Sequence, residues 1–307
     1  GEVMNDIIIK TSDLTKDYGK SRGVFDIDIE VHKGEVFGFI GTNGSGKTTT
    51  IRNMMGFIKP DSGISSINGL DSWTQSADIM KNVSYVPGEI AFPALKTGTE
   101  FLKTQAKYLG VTDFEYMNHV IELLQLDPTA NLKRMSKGMK QKTAIVAALM
   151  GEKEILVLDE PTTGLDPLMR EAFLELIREE KQKGHTVFMS SHIFEEIEAV
   201  CDRVAMIKDG HIIATTSLYD LRHPTVKNFT VEFEQASEKQ RFIENAEFKT
   251  ESIDAKSCTI LCKIQQLDAL FHSLKDYPIV NLQEIHRSLQ QQFMSTYKEG
   301  LIQNGNN

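Results

Sequence analysis

The sequence is poor in cysteine, in long apolar runs and in positive charge, and each shortage excludes something. Of its 307 residues only Cys201, Cys258 and Cys262 are cysteines, too few for a disulfide framework. Cys258 and Cys262 fall in a β-type run, where four residues at ~3.3 Å each would hold them about 13 Å apart, beyond bridging distance. Free, mostly buried thiols in a reducing compartment are expected, and nothing favours a metal site at them. No apolar run approaches the ~18 residues that cross a bilayer; the longest obvious one covers residues 144–150. There is no secretion-signal pattern either, and Gly1 to Val3 ahead of Met4 read as an expression remnant, with residues 1–6 a short N-terminal segment. The chain by itself is expected to be cytosolic, so a membrane role has to come through a partner. Thirty-four Lys and Arg stand against 43 Asp and Glu, and a net charge of −9 argues against a dedicated nucleic-acid surface.

What is present suits a soluble protein with room for two domains: 40% hydrophobic and 25% charged residues. The most specific stretch is Gly41 to Thr48, which fits G-x-x-x-x-G-K-[ST] at every fixed position. An apolar β-type run, residues 35–40, precedes it, and a helical stretch, residues 49–55, follows, which is the context a phosphate-binding loop requires. Its glycines let backbone N–H groups converge on phosphate oxygens, and the helix N-terminus adds partial positive charge. In that role Lys47 reaches the β- and γ-phosphates and the Thr48 hydroxyl ligates Mg²⁺. A ligand-free strand-to-helix turn is the plain alternative, and eight matching residues in context weigh against it.

Around the loop, residues 7–40 read as strands broken by turns at 17–20 and 32–34. Strands follow near 64–68 and at 83–86. From 97 to 150 the pattern turns helical, with apolar spacing over 99–109 and 114–126, and Ser136 as N-cap of a helix over 137–150. Buried-type strands then alternate with helices: strand 154–159, helix 167–182, strand 185–189, helix 194–201, and strands 203–207 and 211–215. That alternation indicates an α/β domain binding nucleotide at the carboxyl ends of its strands. His223-Pro224 marks a boundary. Beyond it, strand 228–234, helix 237–244, strands 247–253 and 256–264, helix 267–274, strand 279–284 and helix 285–297 approach a split βαβ unit with one solvated sheet face and no catalytic constellation.

The strand over 155–158 delivers two acids, Asp159 and Glu160. Asp159 suits Mg²⁺, through water, and Glu160 suits polarisation of the water attacking a γ-phosphate. One acid after a buried strand is a weak signal; two, followed by Pro161 to Asp166, are far more specific.

With these residues in place the sequence resembles the ATP-binding subunit of an ABC transporter over about residues 7–216, an α/β P-loop NTPase core with a helical subdomain at about 97–150. Residues 217–307 then form a small α+β accessory domain. Ser136, Gly138 and Met139 occupy the place of the LSGGQ signature, Asp166 that of the D-loop, His192 that of the switch histidine and Tyr18 that of the adenine-stacking aromatic. The resemblance implies an ATP site from Tyr18, Gly41, Asn43, Gly44, Ser45, Gly46, Lys47, Thr48 and Thr49, with Glu160, His192 and Lys47 catalytic and Mg²⁺ on Thr48 and Asp159. It also implies a second ATPase subunit, in a homodimer or heterodimer, whose signature closes on this chain's loop, and a separate membrane permease. The chain would then lie on the cytoplasmic face of the membrane, powering export of a drug, antibiotic or peptide.

Two departures stand out. Met135, Lys137 and Met139 replace the signature's Leu, first Gly and Gln, while Ser136 and Gly138, whose hydroxyl and N–H start a helix, survive. Where the Q-loop glutamine is expected the chain has Gly88-Glu89, so either Glu89 or water takes that Mg²⁺ position. A soluble ABC ATPase acting on the ribosome or nucleic acid is the alternative, but one phosphate loop, no sustained heptads and the negative net charge disfavour it, and no nucleic-acid partner is expected. Isolated His119 and His272 read as capping or core histidines, and the cations Lys133, Arg134, Lys137, Lys140 and Lys142 as a solvated helix face.

Overall fold

Fully apolar runs become interior strands, and alternating ones become strands with one wet face. The computed structural model describes residues 6–304. Residues 1–5, with the expected remnant Gly1 to Val3, and residues 305–307 lie outside the described residues.

In chain order the first unit contains β1 (Ile7–Gly19), β2 (Arg22–His32), β3 (Val36–Ile40), α1 (Lys47–Met54), β4 (Ser62–Ile67), β5 (Leu70–Asp71), α2 (Ser76–Asn82), β6 (Val83–Val86), α3 (Gly98–Leu109), α4 (Glu115–Leu123), α5 (Lys137–Leu149), β7 (Ile155–Leu158), α6 (Pro167–Gln182), β8 (Thr186–Ser191), α7 (Phe194–Val200), β9 (Arg203–Lys208) and β10 (His211–Ser217). A short helix, α8 (Leu218–Arg222), leads onward. The central sheet runs β10-β9-β3-β8-β7-β6. Its pairs from β9 to β6 are parallel, with β10 antiparallel at one edge. Every residue of β3, β7 and β8 is buried, as expected of parallel strands covered on both faces. Phe37 and Phe188 stack across β3 and β8 with ring centroids 5.8 Å apart. A second sheet, β2-β1-β4-β5, is antiparallel.

Because β3, β7 and β8 are parallel neighbours, their carboxyl ends lie side by side. Those ends carry Gly41, Asp159 and His192. The helical stretch forms as α3, α4 and α5, with α3 and α4 each packed on α5. Thr97 caps α3 by accepting from Glu100 N at 3.2 Å, and Ser136 caps α5 by accepting from Met139 N at the same distance.

The chain divides between Leu218 and Tyr219, and the second unit runs to Gln292. It contains β11 (Val226–Phe233), α9 (Ala236–Asn245), β12 (Lys249–Ser252), β13 (Ser257–Lys263), α10 (Leu267–Leu274) and β14 (Ile279–Ile285). The strands form an antiparallel sheet in the order β12-β13-β11-β14, the arrangement of a split βαβ unit. Phe229, Val231, Phe233, Cys258, Ile260 and Cys262 alternate onto the face covered by Phe242, Leu270 and Leu274. All three cysteines are free and buried. A last helix, α11 (Leu289–Asn304), carries the chain back to the first unit from Phe293 on, where Phe293 meets Phe194 edge-on at 5.4 Å.

The structure differs from the sequence expectation at the domain boundary, which lies at 218/219 and not at His223-Pro224. Residues from Phe293 on belong to the first unit and not to a 217–307 domain. The structure also adds the short elements β5 and α8 and departs in three further places. The turn expected at 17–20 lies at Lys20 and Ser21, because β1 continues through Tyr18 to Gly19 and both turn residues take positive φ, 55° and 59°, as a two-residue hairpin turn demands. Helix α2 was not expected; among its seven residues only Ile79 is buried, too little for an apolar period. The final helix starts at Leu289, not 285, because β14 keeps its pairing to Ile285 opposite Asn228. Among the described residues no helix is long and apolar enough to cross a membrane.

Candidate functional site

Gly41 to Thr48 leave β3 and turn into α1. Gly46, with φ 110°, would place a Cβ 2.5 Å from Val24 Cγ1, so only glycine fits there without displacing that hairpin. The chain packs tightly enough to bury Lys47 to 5% exposure. Lys47 Nζ donates to Gly41 O at 2.6 Å and Thr42 O at 3.1 Å, and lies 3.4 Å from Glu160 Oε1. Burial lowers the Lys47 ammonium below its ordinary range, opposed by the charges of Glu160 and Asp159. Ser45 Oγ is buried with no hydrogen-bond partner, which fits a hydroxyl meant for a phosphate oxygen.

Asp159 is 1% exposed. Its Oδ2 accepts from Thr48 Oγ1 at 2.9 Å and its Oδ1 from Ser190 Oγ at 2.7 Å. Burial raises its carboxyl above the usual carboxylate range, the two hydroxyls pull it back, and the charge of Glu160 adds to the rise. Tyr85, on the neighbouring β6, is pushed up to about 12 by burial and then by the charge of Asp159. Glu160 takes a left-handed φ of 46°, and its N–H donates to Ser190 Oγ at 2.9 Å. For a non-glycine residue that backbone costs on the order of 1 kcal/mol, which the Ser190 bond helps to offset. Glu160 Oε1 faces His192 Nδ1 at 2.9 Å.

Most of the residues expected to bind nucleotide line one cleft; Gly41 and Ser45, both buried, do not. A cleft of about 570 Å³ is lined by Tyr18, Asn43, Gly44, Gly46, Lys47, Thr48, Thr49 and Glu160. Tyr18 is half-exposed at its rim, as a stacking platform has to be. The cleft also includes Arg22 and Asp209, which sequence reasoning missed because neither belongs to a local motif. Ser190 was missed for the same reason, although it sits one residue before the Ser191-His192 pair.

Ser136, Gly138 and Met139 do not line this cleft. They open α5 beside the D-loop of the same chain, where a Cβ on Gly138 would come 2.8 Å from Gly164 O. The Ser136 cap uses an oxygen lone pair and leaves the hydroxyl hydrogen free for an anion. Asp166 caps α6, accepting from Met169 N at 2.9 Å. Further along α5 the buried Gln141 donates from Nε2 to Pro161 O at 2.8 Å, tying the signature helix to the loop after Glu160.

Gly88 approaches the Thr48–Asp159 pair with its backbone: a Cβ there would be 2.8 Å from Asp159 Oδ2 and 3.7 Å from Thr48 Oγ1. Glu89 is exposed. Among the described residues no cluster of three or more His, Cys, Asp or Glu side chains is placed to hold a metal. A hydroxyl and one carboxylate nevertheless fit Mg²⁺, which keeps several waters and takes phosphate oxygens as ligands.

The comparisons with known proteins agree with this geometry. Residues 24–163 match the family model described as ABC transporter. The bacitracin transport ATP-binding protein BcrA of Bacillus licheniformis is 39% identical over 209 residues, covering 67% of this chain and 68% of its own. The linearmycin resistance ATP-binding protein LnrL of Bacillus subtilis (strain 168) is 36% identical over 219 residues, 70% of each chain. A solved ATP-binding subunit of an ABC transporter superposes with a TM-score of 0.63 at 32% identity, covering 70% of this chain and 92% of that one.

Proposed function

The chain belongs to the ATP-binding proteins of ABC transporters and is an ATPase of that type; from that premise we propose that it pairs with a second such subunit on ATP and drives a separate membrane permease that exports a drug, antibiotic or peptide. The observation that carries the ATPase chemistry is the convergence of Lys47, Thr48, Asp159, Glu160 and His192 at three adjacent strand ends. That BcrA and LnrL are named for bacitracin transport and linearmycin resistance supports export of an antibiotic-like compound.

In this reading the loop's N–H groups and Lys47 hold the β- and γ-phosphates. Bound Mg²⁺ would be held by Thr48 and Asp159, with Glu89 or water completing its shell, and would neutralise charge on the phosphates. Glu160 accepts a hydrogen bond from the attacking water and takes its proton as the water oxygen bonds to the γ-phosphorus and the bond to the ADP oxygen breaks. His192 holds Glu160 through Nδ1. Its other ring nitrogen, Nε2, is left to address the γ-phosphate. Ser136 and Gly138 would complete the partner subunit's site rather than their own.

For the permease, the first unit offers a groove of about 640 Å³. Ala77, Ala144, Ala147, Ala148, Phe92, Phe101 and Tyr108 are among its lining residues, with Pro87. Small residues and aromatics together suit a short apolar helix from a membrane subunit. The test is ATP hydrolysis by the chain reconstituted in vesicles with a candidate permease of about six transmembrane helices, together with sizing of Glu160→Gln with ATP. Stimulation by the permease and ATP-dependent dimers are expected. Stimulation by RNA or DNA instead would replace the transport reading.

A further inference from the structure

Glu196 is a buried carboxylate that the chemistry above does not use. It lies on α7 at 4% exposure, and no salt bridge to it is found among the described residues. Its Oε1 and Oε2 accept from Thr162 Oγ1 at 2.8 and 2.9 Å, and Oε2 also accepts from Ser191 Oγ at 3.1 Å. Burial raises its carboxyl above the ordinary range, with Thr162, Ser191 and the charges of Arg170 and His192 opposing. A buried charge with this little compensation is costly to keep, which sets it apart from ordinary core packing.

The two donors identify what it joins. Thr162 stands two residues after Glu160, and Ser191 immediately precedes His192. Ser191 Oγ also accepts from Ile193 N at 2.9 Å, so the same hydroxyl pins the backbone on the far side of His192. We infer that Glu196 is a positioning residue for hydrolysis: it clamps the loop of Glu160 to the strand end of His192 and so fixes their 2.9 Å contact. The inference rests on the assignment of Glu160 and His192 as the hydrolytic pair. Glu196 touches neither nucleotide nor water in this role and acts only through those two side chains. Because a displacement of ~1 Å in a reacting group can cost about 100-fold, loss of the clamp shows in turnover rather than in binding.

Glu196→Met keeps the volume and removes both acceptors, whereas Glu196→Gln keeps one acceptor and adds a donor that either hydroxyl can rotate to meet. Single-turnover ATP hydrolysis is expected to fall about 100-fold in Glu196→Met and about tenfold in Glu196→Gln, with KM for ATP changed less than about threefold. Thr162→Val, which deletes one donor, is expected to fall about tenfold and decides the matter if Glu196→Met does not fold. Combining Glu196→Met or Thr162→Val with Glu160→Gln is expected to add almost nothing to the loss from Glu160→Gln alone, because residues that act as a unit are not additive. Near-normal turnover in Glu196→Met or Thr162→Val, or losses that multiply fully with Glu160→Gln, would overturn the clamp while leaving the Glu160 assignment intact. Wild-type turnover in Glu160→Gln alone would remove the assignment itself.

Discussion

Glu160 Oε1 and His192 Nδ1 stand 2.9 Å apart, and the same oxygen is 3.4 Å from Lys47 Nζ. One carboxylate oxygen thus links the end of β7, the end of β8 and the start of α1, leaving Oε2 to address water. Removing the imidazole frees Glu160 to rotate without disturbing the phosphate loop. His192→Ala is expected to lower kcat for ATP hydrolysis about 100-fold with little change in nucleotide affinity, as for loss of one oriented charge-stabilising donor. Phosphate-release kinetics beside equilibrium nucleotide binding check this; parallel loss of both would assign His192 to binding.

Tyr18 tests the other end of the cleft. Stacking of a base on an aromatic ring contributes about 1–3 kcal/mol. Tyr18→Ala is therefore expected to weaken ATP and GTP binding alike, by about 5- to 150-fold, whereas Tyr18→Phe keeps the ring and most of the affinity. Titration with a fluorescent nucleotide reads both; an ATP-selective loss would mean that Tyr18 reads the purine edge.

Asp159 gives a pH-dependent prediction of definite sign. Its carboxyl is raised on folding, chiefly by burial, so the folded chain holds the proton more tightly than the unfolded chain does. Stability then falls as pH rises from the ordinary carboxylate value, about 3.9, through the raised one, and the cost remains above it. Asp159→Asn is expected to melt higher than the wild type at pH 7 and to lose that advantage below about pH 4. Melting curves across pH check the sign; a variant less stable at pH 7 would show that the Thr48 and Ser190 hydrogen bonds outweigh desolvation.

Much of this site could be read from sequence because its parts are local. Gly41 to Thr48 are contiguous, and Asp159, Glu160 and His192 each follow a run apolar enough to be an interior strand. What holds them was not legible. Ser190, Gln141, Thr162 and Glu196 are common polar residues, and each has a partner 20 to 34 positions away. The parallel order of β7 and β8 brings Ser190 to Glu160 and Glu196 to Thr162. The same holds for α2, whose single buried residue leaves no period, and for the hairpin end at Tyr18, where pairing with β2 extends a strand that local composition had ended.

Glu89 tests how the shell of a bound Mg²⁺ would be completed. The exposed carboxylate has to swing toward Thr48 and Asp159 to serve. If it does, Glu89→Ala raises the Mg²⁺ concentration needed for half-maximal hydrolysis, by about tenfold for a lost carboxylate ligand; if water serves, the requirement stays within about twofold. A magnesium titration of ATPase rate at saturating ATP separates the two.

The close approach of Gly88 closes one route of variation. A side chain at that position would begin inside the contact radius of Asp159 Oδ2, so a glutamine there requires Asp159 or the main chain to give way and is not an isolated exchange. At that point the site meets peptide backbone, and any substitution of Gly88 acts first on the carboxylate it touches.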